Sequence, residues 1–196
     1  MSQGTLLMMH GMTGTADKME PLARKLAPNG WSILCPQASI EHPSRGGYAW
    51  WLFGDEVSPE ESMSQMDESI SDILQMIPDG PVIVGGFSQG GAMASALLET
   101  EASASIVGLV LIATKSARGD KLRDTLPFLK PRPVIWMHGE RDHLVPINLA
   151  REHAEIFDDA GWPVVRLEHE KGHMVNLNQF EEMREQISRI AGVPHR

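Results

Sequence analysis

A serine between two glycines is the feature of this 196-residue chain that points most directly to chemistry. The segment Gly86-Phe87-Ser88-Gln89-Gly90 follows an apolar, β-branched run and precedes an Ala- and Met-rich stretch, which indicates a strand, a tight turn and a helix. Such a turn presents the serine hydroxyl clear of the backbone, and its flanking residues must be small because they approach each other closely. The helix that follows directs its positive end at the serine and favours an oxyanion there. Ser88 is therefore predicted to be a nucleophile, the alternative being a serine that only caps the helix.

A serine that acts as a nucleophile needs a base, and the base needs a carboxylate that orients it. Two later loops supply one of each, in the chain order Ser, Asp, His that accompanies this kind of turn. Asp142 follows a predicted strand that ends at His138. His173 follows the next predicted strand and a glycine that lets the loop bend inward. Ser88, Asp142 and His173 are therefore predicted to form a catalytic triad.

Neighbouring residues offer alternatives for the acid and the base. Glu140 lies closer to its strand than Asp142 and is expected to point elsewhere or to cap. His143 adjoins Asp142 but lies on the wrong loop to be the base. His169 ends its strand and is expected to be a surface histidine or a support for the site. His138 is expected to be a packed, hydrogen-bonded core histidine.

Negative charge that develops on a substrate oxygen needs two backbone N–H donors. Gln89, directly after the serine, is predicted to supply one of them. The other is expected from the loop after the first predicted strand, which reads His10-Gly11-Met12-Thr13-Gly14-Thr15. Gly11 permits an unusual turn there, which points to the Met12 amide as the second donor. The alternative is that this loop is an ordinary tight turn.

The elements that must position these residues follow from the hydrophobic pattern. Short apolar runs alternate with helical patterns, which predicts a parallel α/β sheet. Several runs are apolar at every position, as expected for strands that helices cover on both faces. The predicted strands are Thr5–Met9, Trp31–Cys35, Val82–Gly86, Ile106–Ile112, Pro133–His138 and Val164–Leu167. The predicted helices are Asp17–Ala27, Pro59–Ile77, Ala92–Leu98, Pro146–Ala160 and Asn176–Ile190.

Two segments, residues 37–57 and 114–132, do not fit this alternation, and each follows a predicted strand. Ligands of open parallel sheets bind beyond the carboxyl ends of the strands, so both segments are expected to wall a pocket there. The predicted pocket residues are Trp50, Trp51, Phe128 and Val145. Trp50 and Trp51 have two open alternatives. Each can line the pocket, or it can fasten its long loop to the core, as large aromatic side chains often do.

The overall composition excludes several classes of function. A formal charge of -9 disfavours nucleic acid or an anionic membrane surface as the main partner. No apolar run is long enough to span a bilayer, and residues 1–4 show no basic leader. Cys35 is the only cysteine, and no Cys/His spacing resembles a zinc site. We therefore expect a cytoplasmic protein, monomeric or homodimeric, with a small-molecule substrate and no metal.

The segments that carry these candidate residues resemble those of a known family. The segments are His10–Gly14, Gly86–Gly91, His138–Pro146 and Gly172–His173. Through them the chain resembles the α/β-hydrolase superfamily, and within it the phospholipase/carboxylesterase group that includes acyl-protein thioesterases. Gly-Phe-Ser-Gln-Gly-Gly is particularly typical of that group. The similarity covers nearly the whole chain, from Leu6 to about Ile190.

The resemblance implies a minimal α/β-hydrolase fold, with residues 1–196 forming a single domain. It implies a sheet of about six mainly parallel strands with helices on both faces. It also implies Ser88 as nucleophile, Asp142 as orienting acid and His173 as base, with the Met12 and Gln89 amides as oxyanion donors. No metal or organic cofactor is implied.

The expected reaction is the hydrolysis of a carboxylic ester or thioester through an acyl-enzyme. The short segment between Ile112 and Pro133 leaves little room for a large lid, which favours a small to medium acyl chain. An amidase, a peptidase or an acyltransferase with the same triad is an alternative, because a fold does not fix its chemistry. A binding protein without catalytic activity is a further alternative, and the complete triad disfavours it.

Overall fold

A six-stranded sheet forms the centre of the protein, with the strand order β2-β1-β5-β6-β7-β8. The computed structural model describes residues 3–194. Residues 1–2 and 195–196, which the predicted domain includes, lie outside the described residues. The strands are β1 (Thr5–Met9), β2 (Ser32–Leu34), β3 (Ile40–Glu41), β4 (Tyr48–Ala49), β5 (Val82–Phe87), β6 (Ile106–Ile112), β7 (Val134–Gly139) and β8 (Val164–His169). All pairings described within the six-stranded sheet are parallel, which confirms the predicted sheet.

Helices cover the sheet on both faces. They are α1 (Ala16–Leu26), α2 (Pro59–Leu74), α3 (Gln89–Ala96), α4 (Gly119–Thr125), α5 (Ile147–Asp159) and α6 (Phe180–Ala191). In β1, Leu7 and Met9 join a core cluster with residues of α2, α3 and α5, whereas Leu6 and Met8 join a second cluster with residues of α1 and α6. Alternate side chains of a strand point to opposite faces, so a strand covered on both faces must be apolar throughout. The prediction of helices on both faces is confirmed.

Three helix boundaries differ from the sequence prediction by three or more residues. Helix α3 begins at Gln89 rather than Ala92, so two glycines of low helix propensity lie in its first turn. Helix α2 begins at Pro59 as predicted, where the Ser58 hydroxyl accepts the Glu61 N–H at 3.1 Å, but it ends at Leu74. Helix α6 begins at Phe180, after a short 3₁₀ turn over Leu177–Gln179. Only at α3 does the difference bear on chemistry, because that helix follows Ser88.

The two insertions contain structure that the hydrophobic pattern does not predict. Residues 37–57 include the antiparallel pair β3–β4. Residues 114–132 include α4 and a 3₁₀ turn over Leu126–Phe128, and the buried Arg118 fastens this segment by donating to Glu99 at 3.3 Å and Asp67 at 2.5 Å. Phe128 is 88% exposed, so its side chain packs little against the rest of the described residues, and its place in a pocket wall stays a prediction.

A buried histidine joins two of the helices on one face of the sheet. His153 of α5 is 1% exposed, and its Nε2 lies 2.8 Å from Ser95 Oγ of α3. Burial lowers the pKa of His153 to about 3, so the ring is neutral in the folded protein at neutral pH. In the unfolded chain a histidine takes up a proton below about pH 6.5. The unfolded state therefore binds more protons than the folded state below that pH, and the free energy of unfolding decreases as the pH falls.

Replacing His153 with Phe should flatten this acid dependence. The phenyl ring has a similar shape but cannot take up a proton when the chain unfolds. The slope of the free energy of unfolding against pH, between about pH 6 and pH 4, should therefore decrease by about 1.4 kcal/mol per pH unit. Urea unfolding across this range measures the slope. The control is Phe157→Leu, which alters a buried neighbour of the His153 ring without removing a titratable group and should retain the wild-type slope. An unchanged slope in His153→Phe would contradict the assignment of a neutral buried ring.

Candidate active site

Ser88 occupies the turn between β5 and α3 in a backbone conformation that non-glycine residues rarely adopt. Its φ is 54° and its ψ is -117°. Such a conformation costs on the order of 1–3 kcal/mol and persists only where the surroundings enforce it. Here the Ser88 N–H donates to the Ile112 carbonyl of β6 at 2.8 Å, and the Ser88 carbonyl accepts from the Gly91 N–H at 3.0 Å. The turn therefore holds the half-buried serine at the carboxyl edge of the sheet, as the Gly-x-Ser-x-Gly pattern predicts.

The glycines around Ser88 are required by close backbone contacts. A Cβ atom on Gly86 would overlap the backbone of Gly90, and one on Gly90 would overlap the Met9 carbonyl of β1. A Cβ atom on Gly91 would lie 2.7 Å from Thr114 Cγ2. Helix α3 thus lies directly against β1, which brings the loop after β1 next to the serine.

Asp142 and His173 lie on the loops after β7 and β8 and share a hydrogen bond. His173 Nδ1 lies 2.6 Å from Asp142 Oδ2. Asp142 Oδ1 accepts the N–H groups of Leu144 at 2.9 Å and Val145 at 2.8 Å. Burial alone would raise the pKa of Asp142, but the hydrogen bonds from Val145 and His173 hold that pKa below its ordinary value. An ionised carboxylate therefore faces the histidine that the sequence predicts as base.

The His173 ring lies beside the turn that carries Ser88. Its centroid is 4.8 Å from that of Phe87, the residue before the serine, in an edge-to-face arrangement. Within residues 3–194 no hydrogen bond joins the Ser88 hydroxyl to His173. Hydrogen bonds between catalytic groups are often long before substrate binds. The structure thus pairs Asp142 with His173 and places the histidine next to the serine turn.

The loop after β1 lies against Ser88. A Cβ atom on Gly11 would be 3.2 Å from the Phe87 carbonyl oxygen and 3.3 Å from Ser88 Cβ, so this loop borders the serine. In the described part of the chain, the N–H groups of Met12 and Gln89 donate to no protein acceptor. Two free amides beside a serine are the arrangement that an oxyanion needs.

His10 fixes the shape of this loop from within. Its Nδ1 lies 2.8 Å from the Gly11 carbonyl, and its Nε2 accepts the Ala38 N–H at 3.2 Å, with the Gln37 amide nitrogen at the same distance. Since a carbonyl is an acceptor and an amide N–H is a donor, the proton of the neutral ring is assigned to Nδ1. Burial lowers the pKa of His10, which keeps the ring in this neutral form.

Trp50 and the side chain of Gln89 connect the 37–57 insertion to the same loop. Gln89 Oε1 accepts the Trp50 N–H at 2.9 Å, and Gln89 Nε2 donates to the Trp51 carbonyl at 2.7 Å. The Trp50 indole N–H donates to the His10 carbonyl at 2.8 Å. The insertion, the loop after β1 and the residue after Ser88 therefore form one hydrogen-bonded unit.

The predicted pocket residues have different surroundings. Trp50 is 2% exposed, so of the two alternatives for this residue the structure favours the anchor. Trp51 is half-buried. Val145 is 8% exposed and supports Asp142 through its N–H rather than through its side chain. No local pattern predicts that Gln37 Oε1 accepts the Ala16 N–H or that Gln89 Oε1 accepts the Trp50 N–H, because each bond joins residues more than twenty positions apart.

The alternative acid and base have other hydrogen-bond partners. Glu140 is exposed, and its N–H donates to the His169 carbonyl at 2.7 Å. His169 is 4% exposed, and its Nδ1 accepts the Lys171 N–H at 3.3 Å, so the expectation of a surface position is wrong. His138 is fully buried and hydrogen-bonded, as predicted.

The described residues offer neither a cluster of metal ligands nor a membrane-spanning helix. Between residues 3 and 194, no three His, Cys, Asp or Glu side chains group closely enough to hold a metal ion. Over the same residues, every helix is too short or too polar to cross a membrane.

The sequence of this chain matches the model of a known protein family. The model is described as alpha/beta hydrolase fold, and it matches residues 4–152. The chain belongs to the α/β-hydrolase family. This result confirms the family and the fold class to which the sequence motifs point.

The chain is also similar to curated proteins and to solved structures. The chain is 28% identical over 160 residues to acyl-protein thioesterase 1 of Cryptococcus neoformans, covering 72% of this chain and 67% of the relative. It is 24% identical over 185 residues to acyl-protein thioesterase 1 of Neurospora crassa, covering 82% and 75%. The crystal structure of Zea mays acyl-protein thioesterase 2 has a TM-score of 0.76 at 17% identity and covers 97% of this chain and 95% of its own. That structural likeness shows the shared fold.

The contact between α3 and β1 in this α/β hydrolase is tested by replacing Gly90 with Ala. The added methyl group would overlap the Met9 carbonyl, so the free energy of unfolding should decrease by about 3 kcal/mol. Urea denaturation measures the change.

The matched control is Gly119→Ala, also in the first turn of a helix. There the nearest atom to an added Cβ is Ile156 Cδ1 at 3.5 Å, an ordinary contact. This variant should be unchanged or more stable by up to about 1 kcal/mol, because Ala favours helix over Gly. Equal stability of the two variants would contradict the close contact at Gly90.

Proposed function

We propose that this α/β hydrolase cleaves carboxylic esters or thioesters through a covalent acyl-enzyme on Ser88. The observation that carries the proposal is the 2.6 Å hydrogen bond between Asp142 and His173 beside a serine with a positive φ. The two curated relatives, both named acyl-protein thioesterase 1, support the same reaction class. In the proposal, residues 1–196 act as one domain on a small-molecule substrate, without a metal or organic cofactor.

The proposed reaction proceeds in two halves. Ser88 Oγ attacks the acyl carbonyl carbon while His173 Nε2 accepts the hydroxyl proton, and Asp142 stabilises the imidazolium that forms. The Met12 and Gln89 amides donate to the oxyanion of the tetrahedral intermediate. When the intermediate collapses, the bond to the leaving group breaks and His173 returns the proton to the departing alcohol or thiol. Water then attacks the acyl-enzyme with His173 as base, which releases the acid and restores Ser88.

Features of the surface around the site support an apolar acyl group. Leu144 follows Asp142 by two residues and is 74% exposed, and Met174 follows His173 directly and is 47% exposed. The 114–132 insertion folds into α4 and a short turn, which supports a small to medium acyl chain rather than one covered by a large lid. Trp51, half-buried beside the Gln89 side chain, is proposed to border the bound substrate.

Ser88→Ala should retain the fold and lose nearly all turnover. Removing the nucleophile of a serine hydrolase lowers kcat by about 10⁴-fold or more. The measurement is the initial rate on p-nitrophenyl butyrate, together with labelling by a fluorophosphonate probe. The control is Ser64→Ala on the exposed face of α2, which should keep both the rate and the labelling. Near-native turnover in Ser88→Ala would overturn the assignment of the nucleophile.

The acyl specificity is tested with p-nitrophenyl esters from acetate to palmitate, alongside matched thioesters and anilides. The Ser88-dependent kcat/KM should be highest for short to medium acyl chains, and the anilides should react more slowly than the esters. A maximum at palmitate would contradict the proposed chain size. Faster cleavage of the anilides would instead indicate an amidase.

A further inference from the structure

His138 is a buried histidine that the proposed mechanism does not use. It lies in β7, is 0% exposed, and stacks on Trp136 with ring centroids 5.7 Å apart and an interplanar angle of 12°. Its Nε2 lies 2.8 Å from the Val145 carbonyl oxygen and 3.5 Å from Asp142 Oδ2. The same Asp142 oxygen accepts the hydrogen bond from His173. Two imidazole rings therefore converge on one carboxylate.

The 2.8 Å contact between His138 Nε2 and the Val145 carbonyl oxygen defines which ring nitrogen carries the proton. A carbonyl oxygen can only accept, so Nε2 must donate to Val145. The other ring nitrogen, Nδ1, is buried and has no hydrogen-bond partner among the described residues. A protonated ring would leave a buried N–H unsatisfied at Nδ1, so the neutral ring protonated at Nε2 is the stable form.

The Val145 carbonyl connects His138 to the orientation of Asp142. His138 holds the carbonyl of Val145, and the N–H of the same residue donates to Asp142 Oδ1 at 2.8 Å. With Oδ1 fixed by amides, Oδ2 is left to face His173. The longer contact from His138 Nε2 adds a weak electrostatic attraction to Oδ2, since 3.5 Å exceeds the usual length of an N–H···O hydrogen bond.

The charged and titratable groups that face His138 come from several loops. Asp142, His173 and His169 all act on the His138 ring electrostatically, and His138 in turn acts on Glu168 of β8. Burial lowers the pKa of His138 and outweighs the attraction of Asp142. The ring therefore donates to Val145 without adding a second positive charge beside His173.

We propose that His138 is a positioning residue that fixes the catalytic orientation of Asp142 through the Val145 carbonyl. This inference rests on the proposed function of Asp142 and His173. Without the Nε2 donor, the Val145 peptide and the Asp142 carboxylate can turn, and the bond to His173 lengthens. The imidazolium that forms on His173 is then less stabilised, so proton transfer from Ser88 slows.

The test compares His138→Phe with His138→Gln. Phe keeps a flat ring against Trp136 but has no donor, whereas the Gln amide can place an N–H near the position of Nε2. His138→Phe should lower kcat by about 100-fold with little change in KM, because a misplaced catalytic group costs about that much. The acid limb of the kcat/KM pH profile should also move relative to the wild type, because the carboxylate that stabilises positive charge during proton transfer is misplaced. His138→Gln should recover most of the kcat and return the limb towards that of the wild type.

His153→Phe provides the matched control, because it removes an equally buried imidazole that does not contact Asp142. It should change stability but leave kcat and the acid limb as in the wild type. If folded His138→Phe also keeps the wild-type kcat and acid limb, His138 is only structural and the proposal is overturned. Equal losses in His138→Phe and His138→Gln would also overturn it.

A second measurement needs neither a variant of His138 nor turnover. In ¹⁵N-labelled protein at neutral pH, His138 should be neutral and protonated at Nε2, while the far-downfield Nδ1–H proton of His173 disappears in Asp142→Asn. Protonation of His138 at Nδ1 under these conditions would overturn the proposal even if His138→Phe did not fold. Because these signals are independent of substrate, failure of the esterase proposal would appear separately, as residual turnover in Ser88→Ala.

Discussion

The close approach of helix α3 to strand β1 is the constraint on which the rest of the site depends. Only a glycine fits where Gly90 meets the Met9 carbonyl, and this contact brings the loop after β1 against Ser88. The residue between strand and helix must then adopt a strained backbone, with φ at 54°. The strain is tolerated because β5 and α3 are almost entirely buried, so the packing of the whole sheet opposes relaxation of one turn.

Much of this arrangement follows from local sequence pattern. Strands that are apolar at every position predict a parallel sheet covered on both faces, and β1 and β6 lie over the predicted residues Thr5–Met9 and Ile106–Ile112. In such a sheet all strands end at the same edge, so residues shortly after a strand are brought together. Asp142 and His173 meet for this reason, although 31 positions separate them.

The rest could not be predicted because it depends on pairings with no local signal. The Gln89 side chain reaches Trp50 across 39 positions, and His10 reaches Ala38 across 28. Nothing in the composition of the 114–132 segment distinguishes Leu126, which is fully buried, from Phe128, which is 88% exposed. Which apolar side chain of an irregular segment faces the core depends on the path of the backbone, and hydrophobicity alone does not determine that path.

The histidines show how environment divides one residue type among different tasks. Burial lowers the pKa of His10, His138, His153 and His169, so these rings serve as neutral hydrogen-bonding groups. His173 instead lies half-buried on a loop beside an ionised carboxylate. The fold thus encloses these four rings and leaves the His173 ring partly accessible where it bonds to Asp142.

The hydrogen bonds between Gln89 and the 37–57 insertion have a consequence for engineering. Insertions of a common scaffold are often treated as modules that can be exchanged without altering the machinery beneath them. Here the insertion holds Gln89 by its side chain and the His10 carbonyl by the Trp50 indole. A graft that replaced this insertion would therefore also remove the frame around the serine, unless the donor segment reproduced those three hydrogen bonds.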